Sequence, residues 1–231
     1  MSVQPSERKK TKQTKIPTSP KSQPWGRPVA PDSSDFTKES IFAAIGMALS
    51  AWEGFELALS LLFGLLVAPK DEPLPAQRAY GSIVTFKGRT EMVEAAAEAV
   101  FFISPNTDLE RDIDDLIKWA VGFVARRNEI AHGIVTERYL AEPFSLSPKR
   151  IEFVLAPPGY STLKTQLAQG IGLLSPVRRQ PDYIYSSPQI LTFRDWFVEL
   201  QRRTDVLRPL VGQHPRARPW PSKPPWQSSA T

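Results

Sequence analysis

The chain has 231 residues, 41% of them hydrophobic, with 23 prolines, two histidines and no cysteine, enough for one sizeable domain with its own core. The missing thiols exclude disulfides, thiolate zinc sites and a cysteine nucleophile, and so few histidines argue against a histidine-built metal cluster. The net charge of +5 belongs to the ends: residues 1–35 carry seven basic against three acidic side chains and residues 214–231 three against none, which leaves the stretch between them at −2 and argues against a broad phosphate-binding face.

Residues 1–35 are polar, basic and rich in proline, the composition of a segment that buries too little surface to order itself. They are read as a disordered tail: a solubilising extension, or a source of weak affinity for RNA or acidic partners. No apolar run follows the basic start, so no secretory leader is expected. The most apolar segment, "LALSLLFGLLVA" from Leu57, is shorter than the roughly 20 residues a membrane span requires. The expectation is a cytoplasmic protein with no membrane partner.

A long first helix is expected over residues 37–67. Ile41, Ile45, Ala48, Trp52, Phe55, Leu59, Leu62 and Leu66 recur at helical spacing. Ala43, Ser50, Gly54 and Ala58 form a strip of small residues beside which another helix can approach closely. Glu56 falls at the edge of the apolar stripe, so it needs a buried partner, with Arg127 and Arg126 the candidates. Pro69, Pro73 and Pro75 end this helix, and a second helical region follows over residues 76–102, weaker around "FKGR".

The third helix opens on Thr107-x-x-Glu110, a capping-box pattern, with Asp108 and Asp112 suited to its positive end. Leu109, Ile113, Leu116, Ile117, Val121 and Val124 are read as its core stripe, which continues to Asn128 and Ala131. The helix closes on "VARRNEIAHGIV", with Gly133 as its stop. His132 is the one histidine expected within a folded core.

From residue 138 to residue 186 the pattern changes. "RIEFVLAPP" and "DYIYSS" hold β-branched and aromatic residues bounded by prolines, so two or three short strands are expected there. Ser187-Pro188 then starts a last helix burying Ile190, Phe193, Phe197, Leu200, Leu207 and Val211. Residues 214–231 return to tail composition, with Trp220 and Trp226 among prolines; Trp25 is likewise assigned to a tail, and Trp52, Trp119 and Trp196 to the core. The fold class is all-α: a four- to five-helix bundle over residues 36–213, with a small β-rich insertion before the last helix and disordered basic tails.

Asn128 and His132, four residues apart, lie on one helix face. Arg127 is about 140° round from His132 on a regular helix. A base, a guanidinium and an amide, with no serine or carboxylate beside them in sequence, suit transphosphoryl chemistry on RNA, where the substrate supplies its own nucleophile. A neutral imidazole takes the 2′-hydroxyl proton near neutral pH. Arginine stabilises charge on the phosphate, and asparagine positions the phosphate or the ring. No metal or other cofactor is required. The leaving 5′-oxygen also wants an acid, which a second copy of the helix would bring in a two-fold homodimer.

"RRNEIAHG" resembles the signature of the HEPN (higher eukaryotes and prokaryotes nucleotide-binding) superfamily, an arginine followed four to six residues later by a histidine, most often with asparagine directly after the arginine. The resemblance implies a four- or five-helix bundle that dimerises through the motif. It also implies metal-independent endoribonuclease activity leaving 2′,3′-cyclic phosphates, in a toxin–antitoxin or antiphage-defence setting. An antitoxin or nucleotidyltransferase partner fits that setting. Arg127, Asn128 and His132 then take the places of the family's catalytic residues. Glu56, and second Glu53, stand for the acidic residue that recurs on the first helix in parts of the superfamily. Arg126 is read as a solvated residue that touches RNA phosphates. The strand-like insertion departs from the minimal bundle. The alternative is a catalytically inactive HEPN-like module that binds a nucleotide, RNA or a protein, in which His132 serves the helix end and Asn128 is hydrogen-bonded in the core.

Overall fold

The computed structural model describes residues 23–68, 74–140, 150–158 and 181–215. The expectations for residues 1–22 and 216–231, and for the loops of the insertion, lie outside them. The order of elements is α1 (Lys38–Val67), α2 (Leu74–Ser82), α3 (Phe86–Ile103), α4 (Thr107–His132), β1 (Ile134–Leu140), β2 (Arg150–Ala156) and α5 (Ser187–Gln213). The described chain is mostly helical, with a two-stranded sheet before its last helix.

α1 is the centre of the bundle. Seven of the eight residues of its expected stripe are buried, and Ile45 is half-buried. It has the length and apolar character of a membrane span, yet 56% of its most apolar window is buried inside the bundle. α5 lies along it in the same direction, because Trp52 meets Phe197, Gly54 meets Gln201 and Leu65 meets Gly212 in step. The close approach expected at the small-residue strip occurs at Gly54, where a Cβ would stand 2.7 Å from Gln201 Oε1. All six expected core residues of α5 are buried. Its cap is Ser186, one residue earlier than expected, and the Gln189 side chain accepts from the Ser186 amide at 3.1 Å.

The expected helix over residues 76–102 is two helices. Ile83 and Val84 are non-helical, and Thr85 caps α3 by accepting from the Gly88 amide at 3.1 Å. "FKGR", expected to be weak, is the first turn of α3. α4 likewise starts on a different cap: the Asn106 side chain accepts from the Leu109 amide at 3.1 Å, in place of the Thr107–Glu110 box.

The second half of the α4 stripe is corrected by a turn of the helix. The buried residues are Leu109, Ile113, Leu116, Ile117, Ala120, Phe123, Arg126 and Ile130. Val121 is 51% exposed and Asn128 is exposed. The true stripe steps by three and four through 116, 120, 123, 126 and 130, so Arg126 holds the core register and half-buried Arg127 borders it.

β1 and β2 pair antiparallel, Ile134 opposite Ala156 and Leu140 opposite Arg150. β1 thus begins directly after α4, four residues ahead of the expected insertion. "DYIYSS" forms no strand; Tyr185 alone bridges Leu155. On the same strand Asp35 bridges Phe153, and its carboxylate accepts from the Ser187 amide at 2.8 Å, at the start of α5. Residues 23–35, assigned by sequence to a tail, are therefore a strap along the body. Trp25 packs edge-on against Trp119 and Phe123, over Gly122, and Gln189 donates to the Val29 carbonyl at 2.8 Å. At the other end His214, also placed in a tail, lies against Phe101 and bonds the Ser104 carbonyl at 2.8 Å.

Candidate functional site

Three helices enclose a cleft of about 510 Å³. α1 supplies Trp52, Glu53 and Glu56, the start of α3 supplies Phe86, Lys87 and Arg89, and α4 supplies Val124, Arg127 and Asn128. Half-buried Arg127, which borders the core stripe of α4, reaches into it. Its Nη2 lies 3.5 Å from Glu53 Oε1, its Nη1 donates to Asn128 Oδ1 at 3.3 Å, and its buried Nε meets no acceptor among the described residues.

Glu56 is buried, as its place beside the stripe required, but its partner is neither Arg127 nor Arg126. Arg89 of α3 pairs with one carboxylate oxygen, and Trp52 Nε1 donates to the other at 2.7 Å. Arg89 is held further by the Ile83 carbonyl at 2.9 Å and by the Tyr80 ring beneath its guanidinium. Burial, then the charge of Glu56, pushes the Tyr80 hydroxyl well above its ordinary value. This cluster braces the cleft, and sequence reading missed Arg89 because it lies 33 residues from Glu56.

Arg126 is not on a solvated face. It is buried, 3.1 Å from Glu129 and 3.2 Å from the Tyr185 hydroxyl. Glu129 also accepts from Arg27 of the strap at 2.6 Å and from Tyr185, while the Tyr183 hydroxyl donates to its backbone carbonyl at 3.1 Å. One carboxylate thus answers two guanidiniums and a phenol, which satisfies the charges that burial would otherwise penalise. Arg127 and Arg126, adjacent in sequence and about 100° apart round α4, serve different clusters.

His132 sits on the last helical turn, as expected, but it is exposed rather than in the core. It has no hydrogen-bond partner among the described residues and is not part of the cleft lining. With Asn128 and Val121 it belongs to an exposed face of α4 that none of the described residues covers. The structure therefore brings Arg127, Asn128 and Glu53 together, places Glu56 and Arg89 behind them, and leaves His132 one turn away. Among the described residues no three His, Cys, Asp or Glu side chains gather as a metal site. No protein-family model, curated protein or solved structure matches this chain.

Proposed function

We propose that the chain is a HEPN-like endoribonuclease that works as a homodimer without metal, with Arg127, Asn128 and His132 at its site. The observation that carries this reading is Arg127: a half-buried guanidinium beside the core stripe of α4 that lines an open cleft with Asn128, with His132 exposed one turn later. A guanidinium there desolvates without a full ion pair, an expensive arrangement unless an anion completes it.

A single chain leaves His132 outside the cleft. A two-fold contact through the exposed α4 face, which carries Val121, Asn128 and His132, sets two such histidines across one axis. Neutral His132 accepts the 2′-hydroxyl proton, and O2′ attacks the adjacent phosphorus. Arg127 stabilises the charge on the non-bridging oxygens, and Asn128 orients the phosphate. The P–O5′ bond breaks, and the partner's histidine, protonated, donates to the departing oxygen. Products are a 2′,3′-cyclic phosphate and a 5′-hydroxyl; no water or metal is consumed. A toxin or antiphage-defence role in the cytoplasm, with an antitoxin or nucleotidyltransferase as partner, is part of the same proposal.

The exclusion of His132 from the cleft favours a second reading, a catalytically silent HEPN-like module that binds RNA, a nucleotide or a protein through the cleft alone. An oligonucleotide of DNA with one ribonucleotide separates the two, incubated with protein in EDTA. The nuclease cuts only after the ribose and leaves a cyclic phosphate; an intact oligonucleotide alongside measurable RNA binding supports the silent module.

A further inference from the structure

The cleft holds five charged side chains, and they differ in how firmly they are held. Arg89 and Glu56 form a pair that is buried on the carboxylate side and reinforced by Trp52 and the Ile83 carbonyl. That pair is committed to the fold. The other three are Arg127, Lys87 and Glu53. Arg127 meets Glu53 at 3.5 Å, where the carboxylate is 65% exposed, and Lys87 meets Glu91 at 3.5 Å with its own side chain 85% exposed. Contacts of that length to exposed carboxylates hold a side chain weakly and yield to a better anion. The lining itself sums to +1, three cations against two carboxylates, on a body whose central stretch carries −2; Glu91, the weak partner of Lys87, lies outside the lining.

We infer that Lys87 is a second phosphate-binding residue of this site, and that it takes the backbone phosphate next to the one held by Arg127 on single-stranded RNA. The inference rests on the nuclease or RNA-binding reading of the same cleft. Its basis is placement: Lys87 is on the first turn of α3, across the cleft from α4, so the two cations bracket the path a strand would follow. A flexible ammonium suits that task, because it makes a strong point-charge contact without demanding the bidentate geometry of arginine. Half-buried Phe86, beside Lys87, gives the same wall an aromatic surface on which a base can stack. The local charge explains how a nearly neutral body attracts RNA: the phosphate contacts are gathered in one cleft instead of spread over a face.

The test is fluorescence anisotropy of a labelled 2′-O-methyl oligoribonucleotide, which binds but cannot be cut, against full-length wild type, Lys87→Ala, Lys87→Arg and, as a control remote from the cleft, Arg208→Ala. Unmodified RNA is assayed for cleavage in parallel. Lys87→Ala is expected to weaken binding about tenfold and to lower the salt slope by about 0.7, the share of one single-strand phosphate. Lys87→Arg restores both, Arg208→Ala leaves both unchanged, and in cleavage Lys87→Ala raises KM with kcat retained. Wild-type affinity and slope in Lys87→Ala overturn the inference, and if cleavage persists the nuclease reading stands without it. Lys87-dependent binding with no cleavage keeps the inference and removes the nuclease. A wild type that binds no oligoribonucleotide overturns both.

Discussion

Glu53 and Glu56, three residues apart on α1, face the same cleft and do different work. Glu56 is buried between Arg89 and Trp52, whereas Glu53 is exposed and touches Arg127 only at 3.5 Å. Removing Glu56 leaves a half-buried guanidinium and a buried indole N–H without their acceptor; losing one partner of a fully buried pair typically costs about 3–5 kcal/mol, the upper bound here. Removing Glu53 breaks an exposed contact worth roughly 0–1 kcal/mol. Urea unfolding of Glu56→Ala should therefore show a stability loss several times that of Glu53→Ala. Glu53→Ala should also bind RNA more tightly than wild type, because it removes the carboxylate that competes with phosphate for Arg127. Equal losses in urea would mean that Glu56 is not structural.

The strap makes its own forecast through two glycines. In an open helix interior, glycine to alanine stabilises by about 0.5–1 kcal/mol. Gly46 is such a place, with nothing within 4 Å of where an added methyl would stand. At Gly122 the same methyl would sit 2.6 Å from the Trp25 ring. Gly46→Ala should raise the melting temperature, and Gly122→Ala should lower it while shifting tryptophan emission to the red. A rise in both would show that Trp25 is not seated on α4.

Alkaline pH reports on the Glu129 cluster. Burial, and next the nearby Glu129 charge, pushes the Tyr183 hydroxyl up to about 12, and Tyr185 is raised as well, by burial, then by its hydrogen bond to Glu129. A raised folded-state value means that the folded chain holds the proton more tightly. The contribution is complete below the unfolded value near 10 and is lost as pH climbs through about 12. Melting temperature should fall above pH 10, and Tyr183→Phe should flatten that fall. An unchanged slope in Tyr183→Phe would remove this residue from the cause.

The proposed dimer forms through the exposed face of α4. Val121 is 51% exposed in the single chain, so Val121→Asp should leave helical content intact while preventing two copies from meeting. Sedimentation of wild type should give a dimer and that of Val121→Asp a monomer, with RNA cleavage lost alongside. An active monomer would show that one chain completes the site.

Much of this was legible in the sequence, and the failures share a physical cause. α1 and α5 carry long apolar repeats with proline or serine punctuation, so their cores followed from spacing. α4 deceived because apolar Val121 stands exposed while its real stripe includes Ala120 and Arg126; a buried, ion-paired arginine breaks the pattern that periodicity reads. The split at Thr85 has no glycine or proline at the break itself to announce it. Trp25, Arg27 and Asp35 are ordered by partners roughly 90–150 residues away, which composition cannot reveal. One local hint existed: Arg126 and Glu129 stand three apart on one helix face. The motif itself was visible, but not that its histidine would stand outside the cleft.

The most direct test of the account is RNA cleavage in EDTA by purified wild type, His132→Ala and Arg127→Lys. His132 is exposed and without a partner among the described residues, so its removal leaves the fold of the chain untouched, and a variant that still sediments as a dimer assigns any lost rate to chemistry. The account predicts that wild type cuts RNA to cyclic-phosphate ends, that His132→Ala loses about 10²–10⁴ in kcat, and that Arg127→Lys, which keeps the charge but not the guanidinium fork, is severely impaired. Cleavage at the wild-type rate by His132→Ala would contradict it.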